Sequence, residues 1–144
     1  MSEATIDRTR AFAIGDGRTV VPEPDVKAAL RQLGVATPPA VVIEAGSVGS
    51  SAVAGFSGPL VVKAFGRGIV HKTDVGAVRL GVAPDELPDA MARMSAALDG
   101  HGLAPAGFLV EEQCERAGGV ELLAGVVPGL VNQLRPAGDL GVAR

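Results

Sequence analysis

Aromatic residues and cysteine are scarce in this chain of 144 residues. It contains no tryptophan or tyrosine, four phenylalanines and one cysteine, Cys114. A core built from aromatic rings and an internal disulfide are therefore excluded, and a single cysteine lacks the companion ligands of a metal site. We expect Cys114 to be a small buried or hinge residue.

Long apolar runs and an excess of positive charge are also missing. No apolar run approaches the roughly 20 residues that cross a bilayer, and the N-terminus lacks the basic segment and apolar core of a secretion signal. The net charge of −3 gives no support for binding to nucleic acid or to an anionic membrane. We therefore expect a cytoplasmic protein whose partners are small molecules and other proteins.

Small and aliphatic residues dominate the composition instead, with 47% hydrophobic residues and 20 glycines. Such usage is typical of an α/β or α+β domain with Val-rich strands, and the length suffices for one domain or part of one. Apolar periodicity predicts helices near residues 24–33 and 87–98, and strands near residues 40–43, 60–64, 107–111 and 120–127. Gly34 is expected to stop the first helix, and the second has four apolar residues on one face: Leu87, Met91, Met94 and Leu98.

A glycine-containing loop concentrates the positive charge. Four of the 13 Lys and Arg residues and one of the two histidines fall within residues 63–79. Glycines allow main-chain N–H groups to approach a ligand closely, and Lys63, Arg67 and Lys72 supply the countercharge that oxyanions need. The pattern predicts a phosphate-bearing ligand. The alternative that the residues leave open is an ordinary exposed hairpin loop.

Carboxylates form a second signal at the end of an apolar strand. Glu111, Glu112 and Glu115 are close together in sequence, which is typical of an exposed charged turn. Glu121 follows in the next strand, where an inward-facing charge is costly unless a hydroxyl, cation or ligand pairs with it. From the residues alone, a charged turn and a binding site both remain open.

Four sequence words identify a resemblance. In order, they are Val-Val-Lys-Ala, Ile-Val-His-Lys-Thr-Asp-Val-Gly-Ala-Val-Arg-Leu-Gly, Leu-Val-Glu-Glu-Gln and Gly-Gly-Val-Glu-Leu-Leu-Ala-Gly-Val. They resemble the ATP-grasp domain of NDP-forming acyl-CoA synthetases, the acetate–CoA ligase (ADP-forming) group. His-Lys-Thr-Asp-Val-Gly is specific to that group, whereas the other words occur in ATP-grasp proteins more widely. The resemblance runs from about Pro24 to Val127.

The resemblance implies an ATP-grasp-like fold, with a mixed sheet and flanking helices. It divides the chain into a flexible leader at residues 1–21, the N-terminal portion of an ATP-grasp domain at 22–127, and a divergent or irregular tail at 128–144. The second subdomain is expected to be incomplete.

The resemblance also assigns nucleotide contacts to the loop. Lys63 would hold the α- and β-phosphates of ATP, while Arg67 and Lys72 would stabilise charge on the transferring group. The permissive backbone at Gly68 and Gly76 would allow close approach to the ligand.

His71 is implied to accept the phosphoryl group, because it offers a nitrogen nucleophile at neutral pH. Asp74 either orients this imidazole or caps the turn through its own backbone. The alternative for His71 is a hydrogen-bonding loop residue, the commoner role of an arbitrary histidine.

A hinge is implied at Glu111, Glu112 and Cys114, where the backbone would pair with the adenine edge and an acidic residue would accept from the ribose hydroxyls. Glu121 matches the family's acidic residue in the following strand.

The family transfers phosphate from ATP through a phosphohistidine to an acyl phosphate and then forms acyl-CoA, with release of ADP. After Val127 the sequence shows no Asp-x-Asn-Pro motif, whose Asp and Asn bind Mg²⁺ in the family. We therefore expect ATP or ADP as ligand, and Mg²⁺ only if a missing segment or a partner completes the site. This C-terminally truncated match is not expected to turn over alone.

The expected partners are a CoA-binding or ligase domain, and a small carboxylic acid that binds through it. The alternative function is a non-catalytic nucleotide-binding or subunit-docking module derived from the same domain.

Overall fold

The structure is a computed structural model that describes residues 12–13, 19–47, 50–69, 72–114, 122–125 and 133–136. It divides into two compact units, residues 1–114 and residues 115–144. Two predicted site residues, His71 and Glu121, lie outside the described residues.

The described residues of the first unit form two helices, six strands and two short 3₁₀ turns. The helices are α1 (Glu23–Gln32) and α2 (Leu87–Asp99); the strands are β1 (Phe12–Ala13), β2 (Thr19–Val20), β3 (Ala40–Glu44), β4 (Leu60–Phe65), β5 (Val78–Val82) and β6 (Gly107–Glu112); the 3₁₀ turns are Ser50–Val53 and Pro84–Glu86. In the second unit the described strands are β7 (Leu122–Gly125) and β8 (Gln133–Pro136), which pair antiparallel.

The central sheet has four strands in the order β3-β6-β4-β5. Every neighbouring pair in it is antiparallel. The α+β, ATP-grasp-like class predicted from the sequence is therefore confirmed, but this sheet is antiparallel where a mixed sheet was predicted. The physical reason is that β6 inserts between β3 and β4. These two strands run in the same direction, but each pairs with the antiparallel β6 and not with the other.

Helix α2 closes one face of this sheet. Its four regularly spaced apolar residues are buried, as their helical spacing predicted. They pack in one core with the buried side chains of β4 and β6; the core includes Leu60, Val62, Ala64, Leu87, Met91, Met94, Leu98, Phe108 and Val110. The face covered by α2 is therefore apolar along most of its length, and Lys63 of β4 and Glu111 of β6, at the alternate strand positions, point the other way.

Helix α1 begins at Glu23, one residue before the predicted Pro24, and ends at Gln32. Gly34 follows at φ 79°, a left-handed conformation that suits glycine and stops the helix, as predicted. The first turn carries Glu23 and Asp25, a placement that the positive end of the helix dipole favours.

Candidate functional site

Two charged side chains lie on the sheet face opposite α2. In the β4–β6 register, Val62 pairs with Val110 within the core, whereas Lys63 pairs with Leu109 and Glu111 with Val61. Because side chains alternate along a strand, Lys63 and Glu111 share the other face. The Lys63 Nζ lies 2.8 Å from Glu111 Oε2.

Helix α1 adds a second lysine and a second carboxylate. Lys27 Nζ lies 2.5 Å from Glu111 Oε1 and 3.1 Å from Glu23 Oε1, one helical turn earlier. The same Glu23 oxygen accepts a hydrogen bond from Lys63 Nζ at 2.6 Å. These contacts join α1 to the sheet through charge.

The glycine-containing loop supplies the third lysine. Lys72 Nζ donates to Glu23 Oε2 at 2.5 Å. The resulting lysine–glutamate cluster consists of Glu23, Lys27, Lys63, Lys72 and Glu111. With three lysines and two glutamates, the cluster carries a net charge of +1 and retains attraction for an anion.

The two carboxylates of the cluster differ in burial. The Glu111 side chain is 3% exposed, and each of its oxygens contacts one lysine. The Glu23 side chain is 26% exposed. Since a buried charge is tolerated only when it is paired, Lys27 and Lys63 are the partners that compensate the buried carboxylate of Glu111 near the end of β6.

The cluster shifts the pKa values of two members. Burial raises the pKa of Glu23, but hydrogen bonds from Lys63 and Lys72 and their charges outweigh burial and lower it from 4.5 to about 2. Burial lowers the pKa of Lys63, but its contacts with Glu111 and Glu23 outweigh burial and raise it. Both groups are therefore held in their charged forms.

The lowered pKa predicts a pH dependence of stability. The contribution of Glu23 is fully present above the ordinary carboxyl pKa of about 4.3, and it is lost as the pH falls through the folded value of about 2. We expect wild type to be more stable than Glu23→Gln by an amount that is constant from about pH 7 to 5 and declines below about pH 4.

Urea unfolding of both proteins across this range is the measurement, with Glu44→Gln as the control because Glu44 is exposed and lies outside the cluster. A difference between wild type and Glu23→Gln that stays constant down to about pH 2 would contradict the ion pairing of Glu23.

The loop that carries Lys72 is shaped by its glycines. A Cβ at Gly66 would lie 2.9 Å from both the Ala104 carbonyl oxygen and the Ala106 nitrogen, so this glycine has a packing role beside β6. Gly68 and Gly76 have φ values of 79° and 69°, and they make the turns on either side of the His71 position.

Hydrogen bonds fasten the second of these turns to the sheet. Ala77 N donates to Lys72 O at 2.7 Å, and Ala64 N donates to Ala77 O at 2.8 Å. Lys72 thus lies in a closed turn that is hydrogen-bonded to Ala64, the residue after Lys63 in β4. Arg67 and Asp74 are both exposed in the same loop.

The predicted hinge residues lie at or just after the end of β6, but their side chains do different things. Glu112 accepts hydrogen bonds from Ser57 N at 2.6 Å and Ser57 Oγ at 3.4 Å. These bonds connect the segment before β4 to the end of β6. Cys114 is exposed rather than buried. Of the three, only Glu111 belongs to the cluster.

Sequence reasoning missed Glu23 and Lys27: Lys27 was treated only as part of an amphipathic helix, and Glu23 was placed just before the predicted start of that helix. Their four-residue spacing is the signal that was present, because Glu and Lys at i and i+4 face each other on a helix. Nothing in the local pattern indicated that this pair would meet β4 and β6, because that depends on how α1 packs on the sheet.

The described part of the chain has no helix that is long and apolar enough to cross a membrane.

Comparison with known proteins identifies the family. A family model of the ATP-grasp domain matches residues 12–129. The chain belongs to the ATP-grasp domain family, whose members bind ATP. The family prediction made from the sequence words is confirmed at this level.

A curated relative with sequence similarity is a trans-feruloyl-CoA synthase from an unknown prokaryotic organism. It is 33% identical over 109 residues, which are 74% of this chain and 15% of that protein. The chain therefore spans about 15% of the length of the curated relative that it matches. The ADP-forming specificity stays a prediction.

Proposed function

We propose that this chain is the ATP-binding part of an ADP-forming acyl-CoA synthetase, an acid–thiol ligase. The ATP-grasp family match supports nucleotide binding, and the similarity to a protein named as a feruloyl-CoA synthase supports the acyl-CoA class. Acetate–CoA ligase activity, the finer prediction from the sequence, is part of the same proposal.

The observation that carries the proposal is that two lysines, Lys63 and Lys72, bind the same carboxylate. Lys63 and Lys72 each donate to a different oxygen of the Glu23 carboxylate, at 2.6 and 2.5 Å. A phosphate group presents negatively charged oxygens to donors in the same manner, and lysine binds phosphate as a mobile point charge. The two side chains are therefore already arranged to hold an anionic group.

Within this proposal, Lys63 contacts the α- and β-phosphates, and Lys72 and Arg67 stabilise charge on the group that transfers. The turns at Gly68 and Gly76 bring backbone N–H groups to the phosphates.

The hinge contributes mainly through its backbone. The Glu111 side chain is engaged by Lys27 and Lys63, and the Glu112 side chain by Ser57. Main-chain groups from Glu111 to Cys114 are therefore proposed to face the adenine, with Glu121 acting in the following strand.

The proposed chemistry is phosphoryl transfer in three steps. A ring nitrogen of His71 attacks the γ-phosphorus of ATP, the bond from phosphorus to the ADP oxygen breaks, and Asp74 orients the imidazole. The carboxylate of a small acid then takes the phosphoryl group, which yields an acyl phosphate and free histidine. Finally the thiol of CoA loses its proton and attacks the acyl carbon, and inorganic phosphate leaves. A partner domain or subunit supplies CoA and the acid.

The described residues do not fit a Mg²⁺ site. Both carboxylates of the cluster contact lysines, and among the described residues no three His, Cys, Asp or Glu side chains gather as metal ligands. We accordingly propose that Mg²⁺ binds through a further segment or a partner.

The same pairing of carboxylates with lysines favours a second candidate, a nucleotide-binding or subunit-docking module without catalysis. Such a module would bind nucleotide through the lysines and form no phosphohistidine. The two candidates differ in phosphoryl transfer and agree on nucleotide binding.

Calorimetric titration of the full chain with ATP, ADP and AMP tests the shared part. We expect ADP and ATP to bind about tenfold or more tightly than AMP, because charge-assisted hydrogen bonds from the lysines act on the added phosphates. Adenosine is the control for base binding alone. Equal affinity for AMP and ADP, or no binding of any nucleotide at millimolar concentration, would remove the support for the phosphate site.

A further inference from the structure

We infer that Glu23 is a positioning residue that acts as an internal anion: it holds Lys63 and Lys72 in place and is displaced by the phosphates of the nucleotide. The inference rests on the proposed function, because it names what occupies the phosphate position when no nucleotide is bound. It concerns a residue of α1 to which the sequence gave no role.

Both oxygens of Glu23 are used, one by Lys63 and Lys27 and the other by Lys72. A phosphate group that accepts hydrogen bonds from Lys63 and Lys72 therefore needs the donors that Glu23 now occupies. The carboxylate and the phosphate compete for the same two ammonium groups.

Of the two carboxylates in the cluster, Glu23 is the one that the ligand can displace. Glu111 is nearly inaccessible, with its side chain 3% exposed, and Lys27 and Lys63 pair with its two oxygens. Leaving these partners would strand a buried charge, which is strongly unfavourable. Glu23 is 26% exposed, so part of its side chain already faces solvent.

Once displaced from Lys63 and Lys72, the Glu23 carboxylate still has favourable surroundings. Glu23 lies in the first turn of α1, where the helix dipole favours a negative charge, and Lys27 is its i+4 neighbour. Lys63 likewise keeps Glu111 at 2.8 Å. After displacement, Glu23, Lys27, Lys63 and Glu111 therefore each keep a charged or dipolar partner within the protein. Lys72 then pairs with the ligand alone.

An internal competitor lowers the apparent affinity for the ligand, because only the fraction of molecules with Glu23 released is ready to bind. Removing its charge should then strengthen phosphate binding. A purely structural Glu23 predicts the opposite, since its loss would leave the lysines less well held.

The test compares wild type, Glu23→Gln, Glu23→Asp and Glu44→Gln by calorimetric titration with ADP and with inorganic tripolyphosphate. Glu44 is the matched control, because it is exposed on β3 and its register opposite Gly107 places it on the same sheet face as Glu111. The variant Glu44→Gln removes one negative charge from that face and leaves the lysines of the cluster and their partners unchanged.

We expect Glu23→Gln to bind tripolyphosphate and ADP at least about fivefold more tightly than wild type. Glu44→Gln is expected to change affinity by less than about twofold, and Glu23→Asp to stay close to wild type because its charge is retained. Circular dichroism of each variant verifies that it is folded.

The outcomes separate this inference from the proposed function. A gain for tripolyphosphate in Glu23→Gln, with no ADP binding in any variant, supports the internal anion and overturns the nucleotide site. Phosphate-dependent ADP binding that is unchanged or weaker in Glu23→Gln leaves the proposed function standing and overturns the internal anion. Equal gains in Glu23→Gln and Glu44→Gln also overturn it, because they report general charge alone.

Discussion

Replacement of Lys63 by alanine is expected to weaken ADP binding by about tenfold or more. The physical reason is the loss of a charge-assisted contact worth roughly 1.5–3 kcal/mol, where 1.4 kcal/mol corresponds to a factor of ten. Lys63, like Lys27, contacts both carboxylates of the cluster: Glu23 at 2.6 Å and Glu111 at 2.8 Å. Through Glu23 it is linked to Lys72 of the loop, where the phosphates are proposed to bind.

The control for this prediction is Arg93→Ala. Arg93 is exposed on α2, which packs against the other face of the sheet, so this variant removes one positive charge without changing the cluster. Calorimetry gives the affinities, and circular dichroism establishes that Lys63→Ala is folded before the affinities are compared. Equal ADP affinity in wild type and Lys63→Ala would refute the assignment of Lys63 to the phosphates.

Replacement of His71 by alanine is expected to abolish the phosphoenzyme. Phosphohistidine is labile in acid and stable in base, so incubation of the chain and a candidate partner domain with γ-labelled ATP should yield label with that stability. Loss of the one side chain in the loop that offers a nitrogen nucleophile at neutral pH should remove the label entirely, whereas Lys63→Ala should reduce it through weaker nucleotide binding.

The matched control is His101→Ala, because His101 is the other histidine of the chain and is exposed in the turn after α2. Label that persists in His71→Ala would assign the phosphohistidine to the partner. Absence of acid-labile label in wild type, together with ADP binding, would favour the non-catalytic nucleotide-binding module.

Local elements followed directly from local patterns. Helix α2 was predicted from four apolar residues at helical spacing, and its observed range, Leu87–Asp99, buries all four. The glycine stop of α1 was predicted at Gly34, and it has the left-handed φ of 79° that such a stop requires. Interactions within a few residues decide both features, so the sequence carries them without knowledge of the rest of the chain.

The pairing of the strands could not be predicted from such local patterns. The sequence predicted β3, β4 and β6 as separate strands, but the insertion of β6 between the other two brings together residues more than 40 positions apart, such as Val62 and Val110. Periodicity states which residues share a face and not which strands are neighbours. The antiparallel sheet was therefore missed, although the fold class was right.

The candidate site divides along the same line. By itself the sequence determined the concentration of lysine and glycine in one loop, the carboxylates at the end of one strand and membership of the ATP-grasp family, because composition and short words are properties of the chain. Only the tertiary structure decided that Glu23 of α1 lies between Lys63 and Lys72 and that Glu111 is held by Lys27 and Lys63. Ion pairing depends on distances in space, and those distances are set by where α1 lies relative to the sheet face that carries Lys63 and Glu111.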